Sequence, residues 1–301
     1  MRPPSPHPKL LAIWLPGAAL LAASTLAQAQ ELVRYPSADA DLTKGAPTAI
    51  EAYLFKPAGA GPFPAIVGLH GCGGLFNIHG KMQARETEWA ATLTAHGYVV
   101  LYPESFASRH VGSGCIGTDP AVKPWRERAR DAYGALLYLQ GLPFVIAERI
   151  GLLGWSHGGG TVMFTIAKGA EARPHVLPHG DFRAAIAFYP GWCHADTLGP
   201  DWSTAIPTLV LQGASDDWTQ AGPCKDLVEH AAAHGTPIDI TIYPGSYHDF
   251  DWPGDAVHTF DVGTSWDHGA HVKIVHMGFN QDAHDAAVVR APAFFDAHLK
   301  N

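Results

Sequence analysis

No Cys-x-x-Cys pair occurs among the four cysteines, Cys72, Cys115, Cys193 and Cys224, so a structural zinc held by four thiolates is not expected. No Gly-x-x-x-x-Gly-Lys-Ser/Thr is present, which removes the usual phosphate loop. No block of Lys and Arg occurs either, and the formal charge is −8. Nucleic acid and anionic membrane surfaces are therefore not expected partners. Internal repeats and low-complexity tracts are also missing. With 47% hydrophobic residues, what remains is a globular chain with a full core.

The first 29 residues read as an export signal. Arg2 and Lys9 form a basic start, 10–26 is apolar, and Ala27-Gln28-Ala29 is a small-x-small cleavage site. Pro16 and Gly17 interrupt the apolar run, which weighs against a retained membrane anchor. No cysteine follows it to carry a lipid. The expectation is a signal peptide at 1–29, a single α/β domain at 30–301, no stable membrane insertion after cleavage, and a periplasmic or secreted location. Roughly 270 residues fit one such domain. An even cysteine count in an exported chain suggests two disulfides, with three pairings open.

Along the chain, short apolar runs alternate with helical patterns. Strands are expected at 50–56, 65–69, 98–102, 149–154, 184–189, 208–211 and 238–243. Helices are expected at 81–95, 125–139, 161–167, 224–233 and 281–299, the last kinked or broken at Pro292. Continuous apolar strands such as Ala65-Ile66-Val67-Gly68-Leu69 are those of a sheet covered on both faces. This order predicts a mostly parallel central sheet with helices on both faces. Sites in such sheets form beyond the carboxyl ends of the strands.

The stretch Gly154-Trp155-Ser156-His157-Gly158 follows an apolar strand and precedes a helix, the context of a nucleophile elbow. Side chains at Gly154 and Gly158 would block so tight a turn, and the helix aims N–H groups and its positive end at the serine. A serine hydroxyl needs a base and an orienting acid, which in elbow folds follow it in the order acid, then histidine. Asp216 and Asp217 sit just past one strand and are the two candidate acids, with Asp216 preferred. His248 sits just past the last strand and is the candidate base, ahead of His258, His268, His271 and His276. Two backbone N–H groups, of Cys72 and His157, are the candidate oxyanion donors. Phe76, Trp155, Trp192, Trp218 and Phe250 are candidate pocket walls for an apolar or aromatic group. Arg109 is weighed as a ligand for a substrate carboxylate against a surface salt bridge.

Taken together, His70-Gly71-Cys72-Gly73-Gly74, Pro103-Glu104-Ser105-Phe106, Gly154-Trp155-Ser156-His157-Gly158-Gly159, Asp216-Asp217-Trp218-Thr219 and Tyr247-His248-Asp249-Phe250 resemble the dienelactone hydrolase family of the α/β-hydrolases. The resemblance runs from about 50 to 250. It implies an α/β-hydrolase fold, hydrolysis of carboxylic esters or lactones, a small-molecule ester as the partner, and neither metal nor organic cofactor. It places the triad at Ser156, Asp216 and His248. It departs at the elbow, where the family's founding enzymes carry cysteine, so it implies ester hydrolysis without specifying dienelactone. The implied fold also pairs Cys72 with Cys115 and Cys193 with Cys224, each across neighbouring loops at the mouth of the site. Two other readings are carried: a serine peptidase or amidase of the same fold, and a catalytically silent binding protein. The chain has no propeller-sized N-terminal region to restrict access to peptides, and all three triad members are present, which favours the esterase.

Overall fold

Strands that are apolar on both faces must be covered on both faces, and helices do so here. The structure, a computed structural model, describes residues 1, 30–115, 121–262 and 274–301. The expected export signal, apart from Met1, lies outside the described residues, as do His268 and His271. In chain order the elements are β1 (Glu31–Pro36), β2 (Ala49–Phe55), β3 (Phe63–Leu69), α1 (Ala84–Ala95), β4 (Val99–Pro103), α2 (Ala129–Gln140), β5 (Val145–Trp155), α3 (His157–Thr165), β6 (Ala184–Phe188), α4 (Ala195–Leu198), β7 (Thr208–Gly213), α5 (Ala221–Ala233), β8 (Ile238–Tyr243), β9 (His258–Asp261), β10 (Ile274–Met277) and α6 (Gln281–Leu299).

Eight of these strands form one sheet in the order β1-β2-β4-β3-β5-β6-β7-β8. The β1–β2 and β2–β4 pairs are antiparallel and the rest are parallel. Alternate residues of each strand feed opposite cores. Val67, Leu69 and Leu152 pack with α2, α3 and α5, whereas Ile66, Leu153 and Trp155 pack with α1 and α6. The chain leaves β3 for β4 on one side and returns to β5 on the other. The segments after β3 and β5 therefore lie side by side at the switch point of the sheet, where α/β folds place their sites.

Several elements differ from expectation. The helix after the elbow begins at His157, four residues earlier than expected, because the turn leads straight into it. The start of the helix expected at 125–139 is a π-helical turn, Pro124–Arg128, running into α2. Pro292 does not break α6: Ala283, Ala287, Ala291, Phe295 and Leu299 are buried along one side of the helix, so packing offsets the lost backbone hydrogen bond. β1 and the antiparallel β9–β10 pair were not legible as strands. Both disulfides form as the resemblance implied, Cys72–Cys115 and Cys193–Cys224, with Cα separations of 4.8 and 4.7 Å.

Candidate active site

β5 ends at Trp155 and α3 begins at His157, so Ser156 alone makes the turn. Its φ of 52° and ψ of −113° lie where a residue with a side chain is strained by about 1–3 kcal/mol. The neighbouring glycines are what the turn requires. A Cβ on Gly158 would lie 2.0 Å from the Leu69 carbonyl oxygen, and one on Gly154 would lie 2.3 Å from that of Gly158. No side chain fits in either place. Ser156 N donates to Phe188 O (3.0 Å), and Ser156 O accepts from Gly160 N (2.8 Å) and Gly191 N (3.0 Å). The strained residue is thus held from three sides.

Ser156 Oγ lies 2.9 Å from His248 Nε2, and His248 Nδ1 lies 2.8 Å from Asp216 Oδ2. All three residues are buried. Asp216 is fixed by four further donors: Trp218 N and Thr219 N on Oδ1, and Gln212 Nε2 and Thr219 Oγ1 on Oδ2. Its neighbour is employed elsewhere. Asp217 accepts from His276 N (2.8 Å) and pairs with His276 Nδ1 (2.7 Å), tying β10 to the loop after β7. So Asp216, not Asp217, meets His248, and His276 is spoken for. His258 sits on the cavity wall, its Nδ1 on Ala256 O.

Burial works against a charge on His248, but the Asp216 carboxylate outweighs it, and the pKa ends above the ordinary histidine value. The two other histidines at the elbow behave oppositely. His70 is pushed down to about 4 by burial and by the Arg128 guanidinium. His157 is also pushed well down, first by burial and then by Arg128. Both are neutral at ordinary pH.

The loop after β3 runs against the elbow. A Cβ on Gly71 would stand 3.8 Å from Ser156 Cβ. Of the two expected oxyanion residues, Cys72 lines the same cavity as Ser156 and His157 follows Ser156 directly. That cavity, of about 490 Å³, opens in front and is also lined by His248, Phe76, Trp218, Trp252 and Phe260.

Three expected wall residues are not there. Trp155 shares the face of Leu153 and points into the core, where its Nε1 donates to Asp251 (2.9 Å). Phe250 is buried among Phe188, Tyr189 and Tyr243. Trp192 packs edge-on against His157 and Trp125. Arg109 is no substrate ligand and no surface bridge either: it is bound to both oxygens of buried Asp131 (2.7 Å each) and to Asp39 (2.9 Å).

The site also holds residues the sequence reading missed. Buried Arg85 pairs with Glu86 (2.6 Å) and Asp249 (2.8 Å) and lies over the Trp252 ring at 4.5 Å. One signal was legible. Glu86 falls in register with Trp89, Ala90 and Leu93 on the buried face of α1, and a carboxylate there needs a partner. Among the described residues, no group of three His, Cys, Asp or Glu is arranged to hold a metal ion, and no helix is long and apolar enough to cross a membrane.

A strained serine after the fifth strand, meeting a histidine and an aspartate from later strand ends on a mostly parallel sheet, defines an α/β-hydrolase. The chain matches the model of the dienelactone hydrolase family over residues 50–299 and belongs to that family. A curated relative from Methylorubrum extorquens, provisionally named a carboxymethylenebutenolidase, is 24% identical over 211 residues, covering 67% of this chain and 68% of its own. A Klebsiella pneumoniae protein solved as a provisional dienelactone hydrolase superposes with a TM-score of 0.63 at 16% identity, over 90% of this chain and all of that one. Dipeptidyl peptidase 4 of Porphyromonas gingivalis superposes with a TM-score of 0.61 at 17% identity, over 90% of this chain but 36% of the peptidase.

Proposed function

We propose that this hydrolase cleaves carboxylic esters or lactones through Ser156, His248 and Asp216, with residues 30–301 as one catalytic unit behind an export leader at 1–29. The single observation that carries the reading is the hydrogen-bond chain Ser156–His248–Asp216, at 2.9 and 2.8 Å, on a strained elbow. The Ser156 hydroxyl gives its proton to His248 Nε2 as Oγ attacks the ester carbonyl. Asp216 holds the imidazole with its Nδ1–H inward and stabilises the imidazolium. The N–H groups of Cys72 and His157 receive the oxyanion. His248 then protonates the departing alcohol, leaving an acyl-enzyme. Water, deprotonated by the same imidazole, attacks the acyl carbon; Oγ regains its proton and the acid leaves.

Phe76, Trp218, Trp252 and Phe260 line the cavity, which supports an apolar or aromatic group on the substrate. Two disulfides support an oxidising compartment, periplasmic or external. The test is intact-mass analysis with a fluorophosphonate probe, then a panel of esters and matched amides. One adduct on Ser156, lost in His248→Ala, together with ester turnover, is the expected result. No adduct on folded protein would overturn the reading in favour of a silent binding protein. Faster cleavage of the amides would replace the esterase with a peptidase.

A further inference from the structure

We propose that His70 is a positioning residue of the oxyanion site: its Nδ1–H holds the Gly71 carbonyl and thereby turns the Cys72 N–H toward the substrate oxygen at Ser156. The inference rests on the reading of Ser156 as the nucleophile. In a trans peptide the C=O and the following N–H point in opposite directions. Whatever fixes the Gly71 oxygen therefore fixes the direction of the Cys72 N–H. His70 Nδ1 lies 2.7 Å from that oxygen, which also accepts from Gly74 N across a turn at a longer 3.3 Å. The shorter hold matters because Gly71, Gly73 and Gly74 leave this loop more freedom to rotate its peptides than other residues would.

His70 is itself immobile. Its ring is fully buried, with Phe106 edge-on at 4.8 Å. Its carbonyl accepts from Arg128 Nη2 (2.8 Å), and Nη1 of the same guanidinium lies 2.7 Å from His157 Nδ1. Arg128 thus ties the two segments expected to supply the oxyanion donors. It projects from the π-helical turn, a local form that recurs at functional sites. On the other side, the Cys72 carbonyl accepts from Gly114 N (2.8 Å) and Ser113 Oγ (3.3 Å), and the disulfide holds the side chain. A neutral imidazole has one N–H, and a 2.7 Å contact with a carbonyl oxygen requires it on Nδ1. Nε2 faces Glu104 Oε1 at 3.6 Å, whose carboxylate is occupied by Leu75 N, Phe106 N and Ala107 N.

Two variants of similar size separate the ring nitrogens. His70→Asn presents an amide N–H near the place of Nδ1, and His70→Gln near that of Nε2. His70→Asn is expected to keep kcat within about 5-fold. His70→Gln is expected to lose about 10²–10³ in kcat, the cost of one oxyanion donor, with KM changed by less than about 3-fold. Its affinity for an arylboronic acid, which mimics the tetrahedral adduct, should fall in parallel with kcat. A purely structural histidine would not separate Asn from Gln, nor kcat from KM. Equal losses in both folded variants, or a fully active His70→Gln, would overturn the proposal. A third measurement needs no variant to fold: nitrogen NMR of the 15N-histidine protein should show the His70 proton on Nδ1, and a bare Nδ1 would overturn the proposal. Ser156→Ala is the control that keeps the two readings apart. If it remains active, the nucleophile is wrong and this inference falls with it; if it is dead while His70→Gln is fully active, only the His70 inference falls.

Discussion

Asp216→Asn removes one negative charge and almost no volume, and the surroundings decide which way the new amide faces. Oδ1 accepts two backbone N–H groups, from Trp218 and Thr219, so the amide oxygen must take that place. The NH2 then occupies the Oδ2 position, opposite His248 Nδ1 and Gln212 Nε2. Gln212 Nε2 is a donor that also serves Thr219 O (2.8 Å), so two donors confront each other. Thr219 Oγ1 can accept one hydrogen of the NH2, and the other, which faces His248, is met by a bare Nδ1. The proton moves to Nε2, where it points at Ser156 Oγ and disables the base. A wrong tautomer of this kind costs about 10⁴ in kcat, or about 5.5 kcal/mol of barrier. The residual activity carries a second signature. With Asp216 present, its carboxylate outweighs burial and His248 titrates above the ordinary histidine value. With the charge gone, burial remains and the pKa must drop. The acid limb of kcat/KM should therefore lie above pH 6.5 in the native enzyme and move to lower pH in Asp216→Asn. Acid release in a pH-stat measures both. A variant within about 10-fold of native kcat, or an acid limb displaced upward, would refute the argument.

Asp217→Asn should leave kcat within about 3-fold, because its partner is His276; the pair is about two-fifths exposed on each side, so the stability loss should stay below about 1 kcal/mol. Gly158→Ala forces a methyl to 2.0 Å from the Leu69 carbonyl oxygen, and a denaturant midpoint should report a loss of about 3 kcal/mol or more, with fluorophosphonate labelling falling as well. Replacing Cys193 and Cys224 together by Ser opens a loop of sequence separation 31 and should cost about 2–4 kcal/mol, seen as a lower urea midpoint.

The parallel core of this fold was legible because its strands are continuous apolar runs closed by Gly, Pro or His, and a site at strand ends follows from that order. Ser156, His248 and both aspartates were found that way. Choosing between Asp216 and Asp217 took the structure, since adjacent residues share the same sequence context and differ only in which neighbour they meet. Trp155 was misplaced because it was judged by nearness to Ser156. Strand alternation sends it to the face of Leu153, away from the cavity. β9 and β10 are four residues each, His-Thr-Phe-Asp and Ile-Val-His-Met, too short for a period to register. Arg85 was missed for another reason: buried Glu86 hinted at a cation nearby, but the second partner, Asp249, lies 164 residues away.

That separation sets an order of events. The elbow needs β3, β5 and α3, and also Phe188 O and Gly191 N, which hold Ser156 from the end of β6. Its partner histidine comes 92 residues after the serine. The loop that carries the histidine is anchored backward to Arg85 and forward through Gly278 N, which donates to His248 O at 2.8 Å. The triad therefore cannot be complete in a chain emerging from its N-terminus until His248 and the loop around it have arrived. On the proposed mechanism, ester cleavage is the last property the protein acquires as it folds, and a sensitive clock for when folding is complete.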